Sequence, residues 1–406
     1  MSTATRAVTL ADILAAQELL RGVSRVTPLE GSRLLSDRVG GPVHLKCENL
    51  QRAGSFKIRG AYVRLSKLTQ EERARGVVAA SAGNHAQGVA LAASLVGTKS
   101  TVFMPVGAPL PKVAATQAYG ADVRFHGHYV DEALEAAQEF AESTGAVFIH
   151  PFDHPDIVAG QGTVGLEILD QCPQPRTIVV PSGGGGLLAG VAVAVKSQLP
   201  DTRVIGVQAE KAACYPGSLA AGHPVALTSL TTMADGIAVA KPGMVPFALI
   251  QDYVDDVLTV SEESLSRALL LCMERAKLVV EPAGAAAMAA VLDEPHAFEP
   301  PVVVVLSGGN VDPLLLLRVL RHGMAAAGRY LSFRLRIPDR PGALARLLSE
   351  LAAADANVLE IEHLRTNPKL HLDEVDVAIQ IETRGPRHCD EVLGRLRAAG
   401  YTLLFS

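Results

Sequence analysis

From residue 43 to about residue 324, short β-branched apolar runs alternate with longer amphipathic or alanine-rich stretches. That rhythm predicts strands joined by helical crossovers, and so an α/β fold built on mostly parallel sheet. Strands are expected at 43–46, 77–80, 101–104, 122–125, 147–150, 177–180, 203–208 and 302–306. Thr177-Ile178-Val179-Val180 and Val302-Val303-Val304-Val305 show no polar alternation, as in strands covered by helices on both faces. Between the strands lie helical segments such as 130–142 and the one opening at Thr69-Gln70-Glu71-Glu72, which reads as a capping box. A further helix starts at Thr9-Leu10-Ala11-Asp12.

After Gly328 the pattern changes. Segments 331–337, 358–364, 375–381 and 401–405 read as strands, and 341–354 and 389–398 as helices. This βαββαβ order is the split ferredoxin-like arrangement. The expectation is therefore a main domain at 1–326, with a small subdomain of roughly 45–150 inserted in a larger one, and a second domain at 330–406. Small residues between Gly323 and Gly328 mark the linker.

Composition narrows the partners. About half of the 406 residues are apolar and 19% are charged, which is globular composition. A net charge of -5, with no basic run carrying interleaved aromatics, argues against nucleic acid. No apolar stretch is long enough to cross a bilayer, and residues 1–6 carry no signal-peptide pattern. Cys47, Cys172, Cys214, Cys272 and Cys389 are odd in number, scattered and without a C-x-x-C pair, which favours a reducing, cytoplasmic setting over disulfides or structural zinc. A small-molecule ligand is expected.

In open parallel sheets ligands collect beyond the carboxyl ends of the strands. Three such ends carry unusual turns: Ser81-Ala82-Gly83-Asn84-His85, Ser182-Gly183-Gly184-Gly185-Gly186 and Ser307-Gly308-Gly309-Asn310. The four consecutive glycines lie between a buried strand and a helix, where backbone N–H groups and the helix dipole suit a phosphate. A dinucleotide is the lesser reading, since Gly184-x-Gly186-x-x-Ala189 fits the fingerprint with Glu210 ending the next strand, yet the motif lies mid-chain. A fourth segment, Gly54-Ser55-Phe56-Lys57-Ile58-Arg59-Gly60-Ala61, presents one lysine at a helix start. A dry pocket, with Arg59 as a positive neighbour, would release its proton and make it a nucleophile. For His85 a satisfied helix-terminal role is favoured over catalysis.

A lysine for an imine, a phosphate cup and a neutral partner for a ring nitrogen are together what pyridoxal phosphate requires. With these motifs in order, joined by Ala159-Gly160-Gln161-Gly162-Thr163 and Glu281-Pro282-Ala283-Gly284, the chain resembles the threonine dehydratase family of fold-type II pyridoxal-phosphate enzymes over residues 27–320. The resemblance implies that Lys57 holds the cofactor as a Schiff base, with Phe56 near its ring. Asn84 would bind the ring oxygen, Gly183, Gly184, Gly185, Gly186 and Leu187 the phosphate, and Ser307 the pyridine nitrogen. The turn formed by Ser81, Ala82, Gly83, Asn84 and His85 would hold the substrate carboxylate. Glu281 is left between supporting the ring pocket and capping the helix that follows.

The implied reaction is β-elimination, with Lys57 as base for the α-proton, giving 2-oxobutanoate and ammonia from L-threonine, or pyruvate from L-serine. An L-serine dehydratase is the nearest alternative. Serine racemase is less favoured, because those enzymes carry a serine where this chain has Ala82. Their divalent-cation site pairs a Glu with a downstream Asp; Glu210 is present, but the segment after it offers no acid, so no metal is expected, with Asp235 left open. The C-terminal domain resembles an ACT domain through Ile337-Pro338-Asp339-Arg340-Pro341-Gly342-Ala343-Leu344. This implies a homodimer or homotetramer and an amino-acid effector near Asp339, Arg340, Gly342 and Asn357. A domain serving only oligomerisation, and a non-catalytic amino-acid sensor, are the readings from other classes.

Overall fold

A computed structural model describes residues 8–365 and 371–404. Contacts divide the chain into two units, Met1–Pro313 and Leu314–Ser406, so most of the helix Pro313–Ala326 groups with the C-terminal unit and not with the first.

The first unit holds two sheets. The larger contains β1 (Leu29–Gly31), β2 (Val43–Lys46), β7 (Thr177–Pro181), β8 (Arg203–Ala209), β9 (Asp256–Val260) and β10 (Val302–Val305), in the order β1-β2-β10-β7-β8-β9. All its pairings are parallel except that of β1 with β2. The smaller contains β3 (Val77–Ala80), β4 (Ser100–Met104), β5 (Asp122–Phe125) and β6 (Val147–Phe148), parallel throughout and ordered β5-β4-β3-β6. The expected strands are all present; β6 stops before His150. Two edge strands, β1 and β9, were not expected. β1 is only three residues long, and β9 is buried only at its last residue, so neither offers a strong apolar pattern.

The apolar runs are central: every residue of β7 and β10 is buried, covered by helices such as Gly186–Lys196 and Pro282–Asp293. Thr69 forms the expected capping box with Glu72, and the expected helix start at Thr9 is a capping box with Asp12 as well. Three helices meet by backbone contact. A Cβ on Gly160 would lie 2.6 Å from Gly60 Cα, and one on Gly190 would lie 2.6 Å from Gly162 N. The Ala159–Thr163 motif thus seats the helix Pro155–Gln171 between Lys57–Ser66 and Gly186–Lys196.

The second unit has an antiparallel sheet of β11 (Tyr330–Pro338), β12 (Asn357–Leu364), β13 (Glu374–Glu382) and β14 (Leu403–Leu404), ordered β12-β13-β11-β14. With the helices Ala343–Ala353 and Pro386–Ala398 this gives the expected βαββαβ order. Residue 405 of the last expected strand lies outside the described residues.

Candidate active site

The carboxyl ends of the strands converge on a cavity of about 540 Å³. Its wall contains Phe56, Lys57, Ser81, Ala82, Gly83, Asn84, His85, Gly183, Gly184, Gly185, Gly186, Leu187 and Ser307, so every expected catalytic, cofactor and carboxylate residue lies on one surface. Short strand-like pairing brings the lysine segment to the end of β10. Phe56 N–H donates to Ser307 O at 3.2 Å and Gly309 N–H to Gly54 O at 2.8 Å. Lys57 is thereby placed beside Ser307, 250 residues away in sequence.

Lys57 Nζ donates to Pro151 O at 3.0 Å and lies 5.2 Å from the Phe56 ring centroid. Desolvation lowers its pKa to about 8, against the pull of the Glu281 carboxylate. Arg59 plays no part in this, contrary to the sequence expectation. Its guanidinium turns into the core and donates to both Glu48 oxygens at 2.8 Å and to Glu167 Oε1 at 2.7 Å. Residues two apart on a helix do not share a face.

Along the glycine turn, none of the N–H groups from Gly183 to Leu187 donates to an acceptor among the described residues. The directions their side chains would take are filled. A Cβ at Gly184 would strike the Phe152 ring, and one at Gly185, where φ is 95°, would strike Tyr215 Oη. Tyr215 Oη also donates to Gly184 O at 3.1 Å, bracing the turn from behind. Ser182 Oγ is buried with no protein partner. Unspent N–H donors at the start of an eleven-residue helix suit a phosphate. With the depressed lysine and the buried Ser307 hydroxyl, these residues fit pyridoxal phosphate.

In the Ser81–His85 turn, Ser81 Oγ accepts from Gly83 N–H at 3.1 Å. The Gly83 N–H is thus spent, while the Ser81 hydroxyl hydrogen and the N–H groups of Ala82, Asn84 and His85 remain as donors. The buried His85 ring donates from Nε2 to Ile149 O at 2.8 Å, and burial pushes its pKa down to about 3. It is a satisfied, neutral histidine.

Asn84 Nδ2 donates to Glu281 Oε1 at 2.5 Å. Glu281 precedes the helix Pro282–Asp293, but its side chain makes no cap hydrogen bond there and lines the cavity instead. Burial, with Asp235 nearby, raises its pKa to about 7. Three features of the wall carried no signal in the sequence: the Pro151 carbonyl, the Phe152 ring and an ion pair of Lys112 Nζ with Asp235 Oδ2 at 2.6 Å. That ion pair engages Asp235, and Glu210 is exposed; no group of three metal-ligating side chains occurs among the described residues.

In the C-terminal unit a cavity of about 310 Å³ is lined by Asp339 and Arg340, with His363 and Arg365. Arg365 donates to both Asp339 oxygens at 2.9 and 3.0 Å and holds that carboxyl below its usual range. Gly342 caps the adjacent helix Ala343–Ala353. Asn357 is not on this wall; its amide reaches Glu382 at 3.4 Å.

Residues 20–308 match the family model described as pyridoxal-phosphate dependent enzyme. The L-threonine ammonia-lyase of Thermotoga maritima is 46% identical over 97% of this chain and 98% of its own length. Among solved structures, a processed threonine deaminase isoform from Solanum lycopersicum superposes with a TM-score of 0.74 at 38% identity, covering 78% of this chain and 96% of that one. A maize serine racemase gives 0.74 at 35% identity, over 79% and 99%.

Proposed function

The chain belongs to the family of pyridoxal-phosphate dependent enzymes, and from that premise we propose that it is an L-threonine ammonia-lyase that also accepts L-serine. The observation that carries this is the shared cavity wall, where one depressed lysine faces the same space as the glycine turn, Asn84 and Ser307. When bound, the cofactor supplies an electron sink for the negative charge that develops at the substrate Cα.

The chain's own residues do the rest. Lys57 would hold the cofactor through Nζ, and as a free amine would take the α-proton at that nitrogen; a lysine depressed to about 8 is a usable base near neutrality. The N–H groups of Gly183, Gly184, Gly185, Gly186 and Leu187 would hold its phosphate. The Ser81 hydroxyl and the free N–H groups of Ala82, Asn84 and His85 hold the substrate carboxylate. Ser307 would offer the ring nitrogen a neutral hydroxyl, which would stabilise a protonated ring less than a carboxylate and so favour prompt loss of the β-hydroxyl. Ala82 brings no acid or base to the cavity, which supports elimination over racemisation.

The decisive experiment is turnover by the purified protein with pyridoxal phosphate. L-Threonine is expected to yield 2-oxobutanoate and ammonia, with a larger kcat/KM than L-serine. No oxoacid from either substrate rejects the reading, and a larger constant for serine makes it a serine dehydratase.

The cavity at Asp339 and Arg340 supports an amino-acid effector site, with Arg340 as the cation for a carboxylate and Asp339 as the anion for an ammonium. The enzyme works as a homo-oligomer paired through the C-terminal domain. The five free thiols support a cytoplasmic setting. No helix among the described residues is long and apolar enough to cross a membrane.

A further inference from the structure

The orientation of the Asn84 amide follows from a backbone carbonyl outward. Ala53 O can only accept, so the Asn310 atom 2.7 Å from it is Nδ2. The same nitrogen lies 2.8 Å from Asn84 and spends its second hydrogen there, so the atom it meets is Oδ1. Asn84 therefore turns its NH₂ group the other way, where one hydrogen goes to Glu281 Oε1 and one is left over. Asn310 itself is seated by Gly54, where φ is 70° and a Cβ would strike the Asn310 carboxamide. Its position joins the segment before Lys57 to the start of the helix Asn84–Val96.

We propose that Asn310 is a positioning residue for the cofactor ring, acting through Asn84. By donating to Asn84 Oδ1 it keeps a hydrogen-bond donor, and not an acceptor, turned toward the cavity and the ring oxygen. This rests on the reading that Asn84 contacts that oxygen. The sequence places Asn310 only at the end of a turn, and nothing in its local pattern links it to Asn84, 226 residues earlier.

Asn310→Asp keeps the shape but replaces the donor with acceptors, so the Asn84 amide reverses and presents its oxygen to the cavity. Asn310→Ala removes the donor and leaves the amide unrestrained. In apoenzyme titrated with pyridoxal phosphate, Asn310→Asp is expected to weaken binding about tenfold, the cost of one mispaired buried polar group, and Asn310→Ala about threefold. Both are expected to shift the pH midpoint of the bound cofactor's visible absorbance. A merely structural role predicts the reverse order, because truncation opens a hole and the isosteric change does not. Asn84→Ala is run in parallel. If it weakens binding while Asn310→Asp stays within about twofold of wild type with an unmoved midpoint, the proposal falls and the Asn84 reading stands. If Asn84→Ala itself changes nothing, both fall. Should Asn310→Asp not fold, Asn310→Ala decides: weaker binding with a shifted midpoint supports the proposal, and wild-type values overturn it.

Discussion

Lys57 Nζ donates to the carbonyl oxygen of Pro151 at 3.0 Å, a neutral partner for an amine whose charged form the cavity disfavours. Unfolding returns this lysine to about 10.5, so between about 8 and 10.5 the unfolded chain holds more protons and stability rises with pH. In apoenzyme, Lys57→Met is therefore expected to melt higher than wild type at pH 7, with a gap that narrows toward pH 10. Scanning calorimetry across that range checks it; a constant gap places the lysine in an ordinary environment. The same variant is expected to have no lyase activity.

Glu281 shifts the other way. Its folded value of about 7 lies above the 4.5 of an ordinary glutamate, so the carboxyl keeps a proton in the folded state that it sheds on unfolding. Its contribution to stability is present below about 4.5 and is lost as pH rises through 7. Glu281→Gln copies the protonated acid, so the variant should match wild type at pH 5 and melt higher at pH 8. Parallel melting curves at both pH values would show that the carboxyl is already ionised in the fold.

Arg59 is fully buried between Glu48 and Glu167, and Glu167 is shared with Lys46 Nζ at 2.6 Å. Removing the guanidinium leaves two carboxylates under-compensated in the core. Arg59→Met is expected to cost about 3–5 kcal/mol in urea denaturation. Arg59→Lys should recover only part of that, because one ammonium cannot form the paired hydrogen bonds to Glu48.

Gly184 backs onto Phe152, so Gly184→Ala forces the turn forward into the cavity. The expected loss in pyridoxal phosphate affinity is about 1–3 kcal/mol by absorbance titration, the range for overpacking. Phe152→Ala in the same chain should restore part of it, and a double variant no better than the single would locate the fault elsewhere.

Where chemistry sits on local pattern, it was legible. The glycine turns at the ends of β3, β7 and β10 mark the cavity, because strand ends, helix starts and glycine runs are all written within a few residues. Direction was not legible. Arg59 stands two places from Lys57, and adjacency suggested a shared environment that the helix rotation forbids. Pairings such as Lys112 with Asp235, or Asn310 with Asn84, depend on which crossovers bring distant turns together, and no local window holds that information. β1 and β9 escaped notice because edge strands bury too little to show a period.

The glycine contacts Gly60–Gly160 and Gly162–Gly190 act as a jig. The lysine-bearing helix and the helix behind the phosphate turn are each gauged against Pro155–Gln171 by main chain on main chain, so no rotamer intervenes between the amine and the phosphate cup. The spacing of those two ends therefore does not depend on which side chains line the rest of the cavity, so its substrate-facing part can differ in size while amine and phosphate cup keep their separation.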